Sequence, residues 1–315
     1  MALTGDPDTR LADFFDLMAG TSTGGILTAC CLLPGPDGRP KFKAAEIVEL
    51  YFKHGEEIFK RSIFHKVKTV GGLLDERYPD KGLRKVLKKY MGDVRLADLL
   101  KTGLFTAYDI ERRKAHFFSS RSAVDKGHDF FLRDVAWSTS AAPTYFEVAR
   151  IKDGLNRDYA LIDGGVFAGN PTLCAYAEAR KIFRKPDSDR AVTAEDMIVL
   201  SLGTGTAKEN YPYHLARDWG MAQWVRPLID IMMSGVAETV DYQVRQIYDA
   251  VGRKSQYLRV NAPLPSDVNH QMDDAGKENM EALRRQGEAV AEKFDAELQD
   301  LAERLVSVDC CDMLA

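Results

Sequence analysis

The chain has 315 residues, of which 45% are hydrophobic and 29% charged, with 43 Lys plus Arg against 47 Asp plus Glu. This is an ordinary globular composition, which excludes disordered, collagen-like and coiled-coil classes, and a formal charge of −4 gives no support to a nucleic-acid binder. At this length folding buries about three-quarters of the unfolded surface, so no disulfide or metal staple is needed.

The five cysteines (Cys30, Cys31, Cys174, Cys310 and Cys311) form no C-x-x-C pair, which favours a reducing compartment. The first twenty residues carry Asp6, Asp8, Asp13 and Asp16 with no basic start, so no signal peptide is expected. No run of 18 uncharged apolar residues offers a transmembrane segment. The expected location is the cytoplasm or the periphery of a membrane.

The first readable element is 14–19, a short apolar run that predicts a buried strand ending at Gly20. Residues 26–33 are too long and too rich in Ala and Leu for a strand; they predict a helix stopped by Pro34, Gly35 and Pro36. Strand, glycine turn and helix in that order place a ligand-facing turn at the carboxyl edge of a sheet. Over 53–89 the local charge inverts, and basic residues such as Lys60, Arg61, Lys85 and Lys88 alternate with Ile58, Phe59, Phe64 and Val67. This belongs to a basic helical cap at about 43–100. It reads either as a solvated cap with a small satellite core or as a surface that meets anionic membrane lipid.

Strands are predicted at 103–110 and 115–119, paired antiparallel around the charged turn of Glu111, Arg112, Arg113 and Lys114. A helix follows at 132–140, ahead of Pro143, and a short strand at 159–162 ends on Asp163, Gly164 and Gly165. After Asn170 and Pro171 comes a helix over 172–183, then a strand over 197–202 closing on Gly203, Thr204 and Gly205. Long helices are predicted at 225–251 and 273–306, the latter with Leu283, Val290, Phe294, Leu298, Leu301 and Leu305 as its packing stripe. Alternating strands and helices indicate an α/β layered fold, read as one domain over 1–315.

Gly20, Thr21, Ser22, Thr23 and Gly24 match G-x-S-x-G in the strand–turn–helix setting that a nucleophile elbow requires. The glycines allow close approach, and the helix that follows aims unpaired amides at the site, favouring charge on an attacked carbonyl. The plainer alternative is a glycine-rich turn with a capping serine. A serine hydroxyl needs a base. His54, His65, His116, His128, His214 and His270 each read by default as surface or cap residues, although His214 and His270 keep a Ser-Asp-His order open. Asp163 is the better candidate, because burial at a strand end would raise a carboxylate toward working pH. The competing account of Asp163 is an Asx turn before the two glycines.

Taken together, residues 16–25, 105–109, 138–146, 200–205 and Asp163-Gly164-Gly165 with Asn170-Pro171 resemble the patatin-like phospholipase family, acyl hydrolases related to plant patatin. The likeness runs from about Leu11 to the C-terminal helix. It implies a three-layer α/β/α sandwich with a mostly parallel central sheet. It also implies a dyad in which Ser22 attacks an ester and Asp163 takes its proton, supported at the turns by Gly20, Thr23, Gly24, Gly164 and Gly165. The implied substrates are phospholipids or other acyl esters, with no metal and no cofactor. The family further carries an upstream oxyanion loop of the form Asp-Gly-Gly-Gly-x-Arg/Lys-Gly, whereas only Gly5 precedes Gly20 here. Two expectations follow: the sequence begins downstream of the natural start, or it is a shortened, catalytically impaired relative that binds lipid, binds a partner or serves as storage.

Overall fold

A computed structural model describes residues 4–58, 80–185, 189–206, 210–271 and 273–312. After a 3-10 turn at Leu11–Asp13, β1 (Leu17–Gly20) leads through Thr21 and Ser22 into α1 (Thr23–Leu32). The strand starts later than its apolar run because the Phe14 amide closes the 3-10 turn on the Leu11 carbonyl. α1 starts earlier than predicted and takes in both glycines. A Cβ on Gly25 would lie 2.6 Å from Thr139 Cγ2, so this glycine serves helix packing rather than a turn.

α2 (Ala44–Ile58) and α3 (Lys81–Met91) form the described part of the cap, and Ile47, Leu83, Leu87 and Met91 bury into the main core. Lys60, Arg61, Lys66, Lys68 and Arg77 of the basic segment lie outside the described residues. β2 (Thr102–Asp109) and β3 (Lys114–Ser119) form the predicted hairpin, followed by α4 (Ser120–Lys126) and α5 (Leu132–Thr139). A second hairpin, β4 (Ala149–Lys152) with β5 (Asp158–Asp163), then gives way to α6 (Gly165–Ala168) and α7 (Thr172–Ile182). β6 (Val199–Leu202), α8 (Tyr213–Ala216), α9 (Met221–Ala250) and β7 (Tyr257–Val260) follow. The single helix expected over 273–306 is two, α10 (Lys277–Lys293) and α11 (Asp295–Asp312), because Phe294 leaves helical geometry at φ −104°, ψ 16°.

The main sheet runs β1-β2-β5-β4, with β3 on the other edge of β2. Parallel pairing, expected throughout most of the sheet, is found at β1–β2 and in the separate β6–β7 pair. The other three ladders are antiparallel, because two of them are tight hairpins and the third pairs β2 with the returning strand β5.

Helices cover both faces. Phe105 and Ala107 of β2 and Leu161 of β5 meet Ala29, Leu33, Val135 and Ala136 of the α1–α5 side in one buried core. Such side chains each contribute roughly 1.5–3 kcal/mol by leaving water. On the opposite face Tyr108 meets Phe167 of α6 at 6.3 Å between rings. A smaller cluster of Val244, Tyr248, Tyr257 and Ala194 joins α9 to β7, with Tyr176 of α7 packed against it. Among the described residues no helix is long and apolar enough to cross a membrane. Cys30, Cys31 and Cys174 are free thiols. Burial pushes Cys30 up to about 12 and Cys31 to about 11, so both pack as small apolar side chains.

Asp109, fully buried at the end of β2, closes the first hairpin. One carboxylate oxygen accepts from the Glu111 and Arg112 amides at 3.1 and 2.8 Å, and the other from the Arg112 guanidinium at 2.7 Å. Burial works to raise its pKa, but these bonds outweigh it and hold the carboxyl below its usual range. We expect Asp109→Asn to destabilise the fold by about 1–3 kcal/mol in denaturant titration at pH 7. A folded pKa below the unfolded one places that stabilisation above the ordinary carboxylate range, so the difference between the two proteins should shrink as the pH falls below about 4.

Candidate active site

The register of β2 decides the site. β1 runs parallel along one edge of β2 and stops with Gly20 opposite Phe105. β5 runs antiparallel along the same edge and stops with Asp163 opposite Ala107. The two carboxyl ends therefore face each other across the width of one residue, Thr106. Beyond them the chain turns away as α1 and α6.

Both faces of this junction are tied down. On the α6 side the Thr21 hydroxyl donates to the Ala168 carbonyl at 2.7 Å, and Thr21 and Thr106 share a second bond at 2.7 Å. With the single hydroxyl proton of Thr21 spent on Ala168, Thr106 is the donor. On the other face the end of α5 bridges the two strands. Thr139 Oγ1 accepts from the Ser22 amide at 3.0 Å, and the Ala141 carbonyl accepts from the Asp163 amide at 2.9 Å. Tyr51 of α2 donates to the Thr23 carbonyl at 2.8 Å, which seats the cap against the elbow.

Ser22 sits at φ 57°, ψ −130°, a conformation that costs a non-glycine residue on the order of 1–3 kcal/mol. Its hydroxyl makes no capping bond to α1, so the capping-serine account does not describe it. It lies close enough to the Asp163 carboxyl to act on its titration, pulling it down against burial. Among the described residues the Thr23 and Gly24 amides at the start of α1 donate to no protein acceptor, while the Gly25 and Ile26 amides are used by the Ser22 carbonyl. Gly20 is required by crowding, since a Cβ there would lie 2.3 Å from the Gly24 carbonyl oxygen; beside Gly24 itself there is open space.

Asp163 is 3% exposed. The expected Asx turn is present, the Gly165 amide donating to Oδ1 at 2.7 Å. Burial dominates its titration and pushes it up to about 6, against the pull of the Ser22 and Gly165 donors. Among the described residues no cation is bonded to it.

The histidines stand apart. His54 bonds Glu57 and Tyr90, and His116 lies among Phe118, Phe130 and Tyr159, where burial lowers it to about 4. His128 faces Arg157, His214 and His270 are exposed, and His65 lies outside the described residues. No described histidine is hydrogen-bonded to Ser22 or Asp163, and no three described His, Cys, Asp or Glu side chains converge as a metal site. A cavity of about 340 Å³ between α3 and α5, lined by Lys81, Arg84, Lys88 and Trp137 among others, touches neither Ser22 nor Asp163.

The family profile described as patatin-like phospholipase matches residues 2–176. A potato (Solanum tuberosum) protein named probable inactive patatin-3-Kuras 1 is 33% identical over 301 residues, spanning 92% of this chain and 79% of its own. Patatin-like protein 2 of Oryza sativa subsp. indica is 33% identical over 308 residues, covering 91% of this chain and 76% of its own. Patatin-like protein 3 of Arabidopsis thaliana is 34% identical over 317 residues, covering 91% and 73%. The chain belongs to the patatin-like phospholipase family. At the level of that family it is a lipid acyl hydrolase fold, mixed α/β with helices on both faces of the sheet.

Within this patatin-like frame, the sequence pattern singled out Ser22 and Asp163 and passed over the threonines around them. Thr106 and Thr139 are fully buried and Thr21 nearly so. The only available signal was a polar side chain inside an apolar strand or at a helix end, which says that a partner exists without saying where. Gly164 shows how little slack the junction has: a Cβ there would fall 2.1 Å from Thr106 Oγ1 and 2.5 Å from the Thr106 carbonyl oxygen. Gly164→Ala should therefore destabilise by about 2–3 kcal/mol through forced backbone movement. Gly24→Ala, with open space, should change stability by less than about 1 kcal/mol. Paired urea titrations compare the two.

Proposed function

We propose that the protein is a serine acyl hydrolase of lipid esters in which Ser22 is the nucleophile and Asp163 the base. The observation that carries this reading is a buried carboxylate, poised at about 6 without a cationic neighbour among the described residues, beside the hydroxyl of a serine held in a strained turn. As Ser22 Oγ bonds to the ester carbonyl carbon, its proton passes to Asp163 and the carbonyl oxygen takes up negative charge. The Thr23 and Gly24 amides are the donors placed to meet that charge at the start of α1. Collapse breaks the bond to the alcohol, which leaves with the proton from Asp163, and an acyl-enzyme remains. Water then repeats the sequence: Asp163 takes its proton, the new C–O bond forms, and Ser22 departs with the proton as the fatty acid is released.

A second reading is a catalytically impaired relative with a binding or storage role; the potato relative named as probably inactive supports the impairment alone. Fluorophosphonate labelling with peptide mapping separates the two. We expect an adduct on Ser22 that disappears in Ser22→Ala, and no labelling at all would favour the second reading. Asp163 must be ionised to accept the proton, so kcat/KM for a short-chain ester should rise with pH through about 6 with unit slope and then level off. Asp163→Asn should abolish turnover, while His214→Ala and His270→Ala retain it.

The same carboxylate has an opposite signature in stability. Its folded pKa stands above the unfolded value of 3.8, so the folded state holds the proton more tightly. The penalty for ionising it is absent at about pH 4, grows as the pH rises, and is complete above about 6. Asp163→Asn should therefore stabilise the protein by on the order of 1–3 kcal/mol at pH 8 relative to its effect at pH 4, as measured by denaturant titration.

A further inference from the structure

α9 carries two apolar stripes, one packed inward and the other left largely open among the described residues. At about 100° per residue, Met233, Val236, Val240 and Val244 share a stripe turned inward, with Val240 and Val244 in the cluster around Tyr248. Met221, Trp224, Val225, Leu228, Ile231 and Met232 fall on a second stripe about 120° wide. All six are exposed, Met221 at 89% and the others between 39% and 49%. Tyr213 and Leu215 of α8 are also exposed, at 80% and 54%. The approach to α9 is fastened by rings, Tyr211 to Trp219 at 5.5 Å and Trp219 to Trp224 at 5.2 Å, with the Tyr211 hydroxyl donating to Asp230.

The outer face changes character halfway along the helix. Past Gly235 the same stripe carries Glu238, Thr239, Tyr242, Gln243, Gln246 and Asp249, as a helix facing water should. The inward side of this same half of the helix is what packs beside the candidate active site. Gly165, whose amide binds Asp163, is so close to Met233 that an added Cβ would lie 3.2 Å from Met233 Cε.

We propose that the outer stripe of α8 and α9 docks on the surface of a neutral lipid aggregate and brings the Ser22–Asp163 site to the edge of the acyl layer. Three features select that occupant. An exposed apolar face with Trp, Tyr and Met at its rim matches a membrane interface. Over 210–234 Arg217 and Arg226 are balanced by Asp218 and Asp230, so no charged partner is called for. The half-helix that carries the face also packs, through Met233, beside a site whose family acts on lipid acyl groups. The proposal rests on the acyl hydrolase reading of that site, and the test keeps the two apart.

Binding is measured with the full chain carrying Ser22→Ala, so that vesicles are not consumed, by sedimentation with phosphatidylcholine vesicles at low and high salt. We expect binding that is indifferent to salt, with tryptophan fluorescence quenched by brominated phosphatidylcholine. Adding Trp224→Ser and Leu228→Ser should weaken binding at least about tenfold. In the chain with Ser22 intact, the same pair should lower the ratio of vesicle hydrolysis to monomeric butyrate ester hydrolysis by a similar factor. Unaltered circular dichroism and an unaltered urea midpoint check the fold, since Trp224 also packs on Trp219. The proposal is overturned if phosphatidylcholine vesicles are left unbound or the variant binds them equally. It is overturned too if binding requires anionic lipid and vanishes at high salt, which would point to the basic 53–89 segment, or if the substitutions merely dissolve a dimer. Failure of the hydrolase reading looks different: Ser22→Ala would keep its turnover while vesicle binding stood.

Discussion

Two strands running in opposite directions share one edge of β2, and the rest of the site follows from that constraint. Their carboxyl ends must stop short of each other, and the gap is one residue wide. Each strand then gives way to a helix, so the start of α1 and the start of α6 lie beside the same gap, and the serine after β1 falls next to the aspartate that ends β5. The gap is held from both faces, by Thr21, Thr106 and Ala168 on one and by Thr139 and Ala141 on the other. Crowding explains the glycines: at Gly20 and Gly164 a methyl group would occupy the space of a backbone oxygen.

Three buried aspartates in neighbouring strands show how the surroundings, rather than the residue type, decide chemistry. Asp109 and Asp153 each end or follow a strand, each takes two backbone amides, and each is met by an arginine, Arg112 or Arg157. For both, burial raises the pKa and the hydrogen bonds and the guanidinium outweigh it, leaving the carboxyl below its ordinary range. Asp163 is buried alike but takes one backbone amide, lies beside the Ser22 hydroxyl and meets no arginine among the described residues, and its shift is upward. An ion pair fixes a hairpin and removes the carboxylate from acid–base work. The absence of a cation among the described neighbours leaves Asp163 able to exchange a proton near neutral pH, at a stability penalty that the core around Phe105 and Leu161 must offset.

How much of this was legible in the sequence depended on range. The elbow at 20–25 is a local pattern and the β2–β3 hairpin a local alternation, and both stand close to where the residues put them. Asp163 was legible as a strand end before two glycines. What brings it to Ser22 is not local, because the direction in which β5 returns along β2 leaves no mark in either strand. Gly24 and Gly25 read as a turn because glycine disfavours helices, yet the contact of Gly25 with Thr139 outweighs that propensity of about 1 kcal/mol. β4 and β7 are four residues each, too short to show an alternation, and Phe294 gives no sequence signal of the break between α10 and α11.

The long helix at 221–250 was legible as a helix but not as one with two separate faces. Periodicity at 3.6 residues reports that apolar side chains fall on a stripe; where two stripes overlap in sequence, they read as one generally apolar helix. Only packing separates them, since Val240 and Val244 join the cluster around Tyr248 while Leu228 and Met232 each stay 49% exposed. Exposure of a wide apolar stripe is unfavourable in water unless something covers it, and on α9 the exposed Met, Leu, Ile, Val and Trp side chains all stand in the turns leading to Met233, with Tyr242 alone beyond them. If the stripe merely reflected a tolerant surface, it would have no reason to turn polar at Glu238, on the same helix and the same side. The change of character at that point ties the uncovered face to the neighbourhood of Asp163 rather than to the helix as a whole.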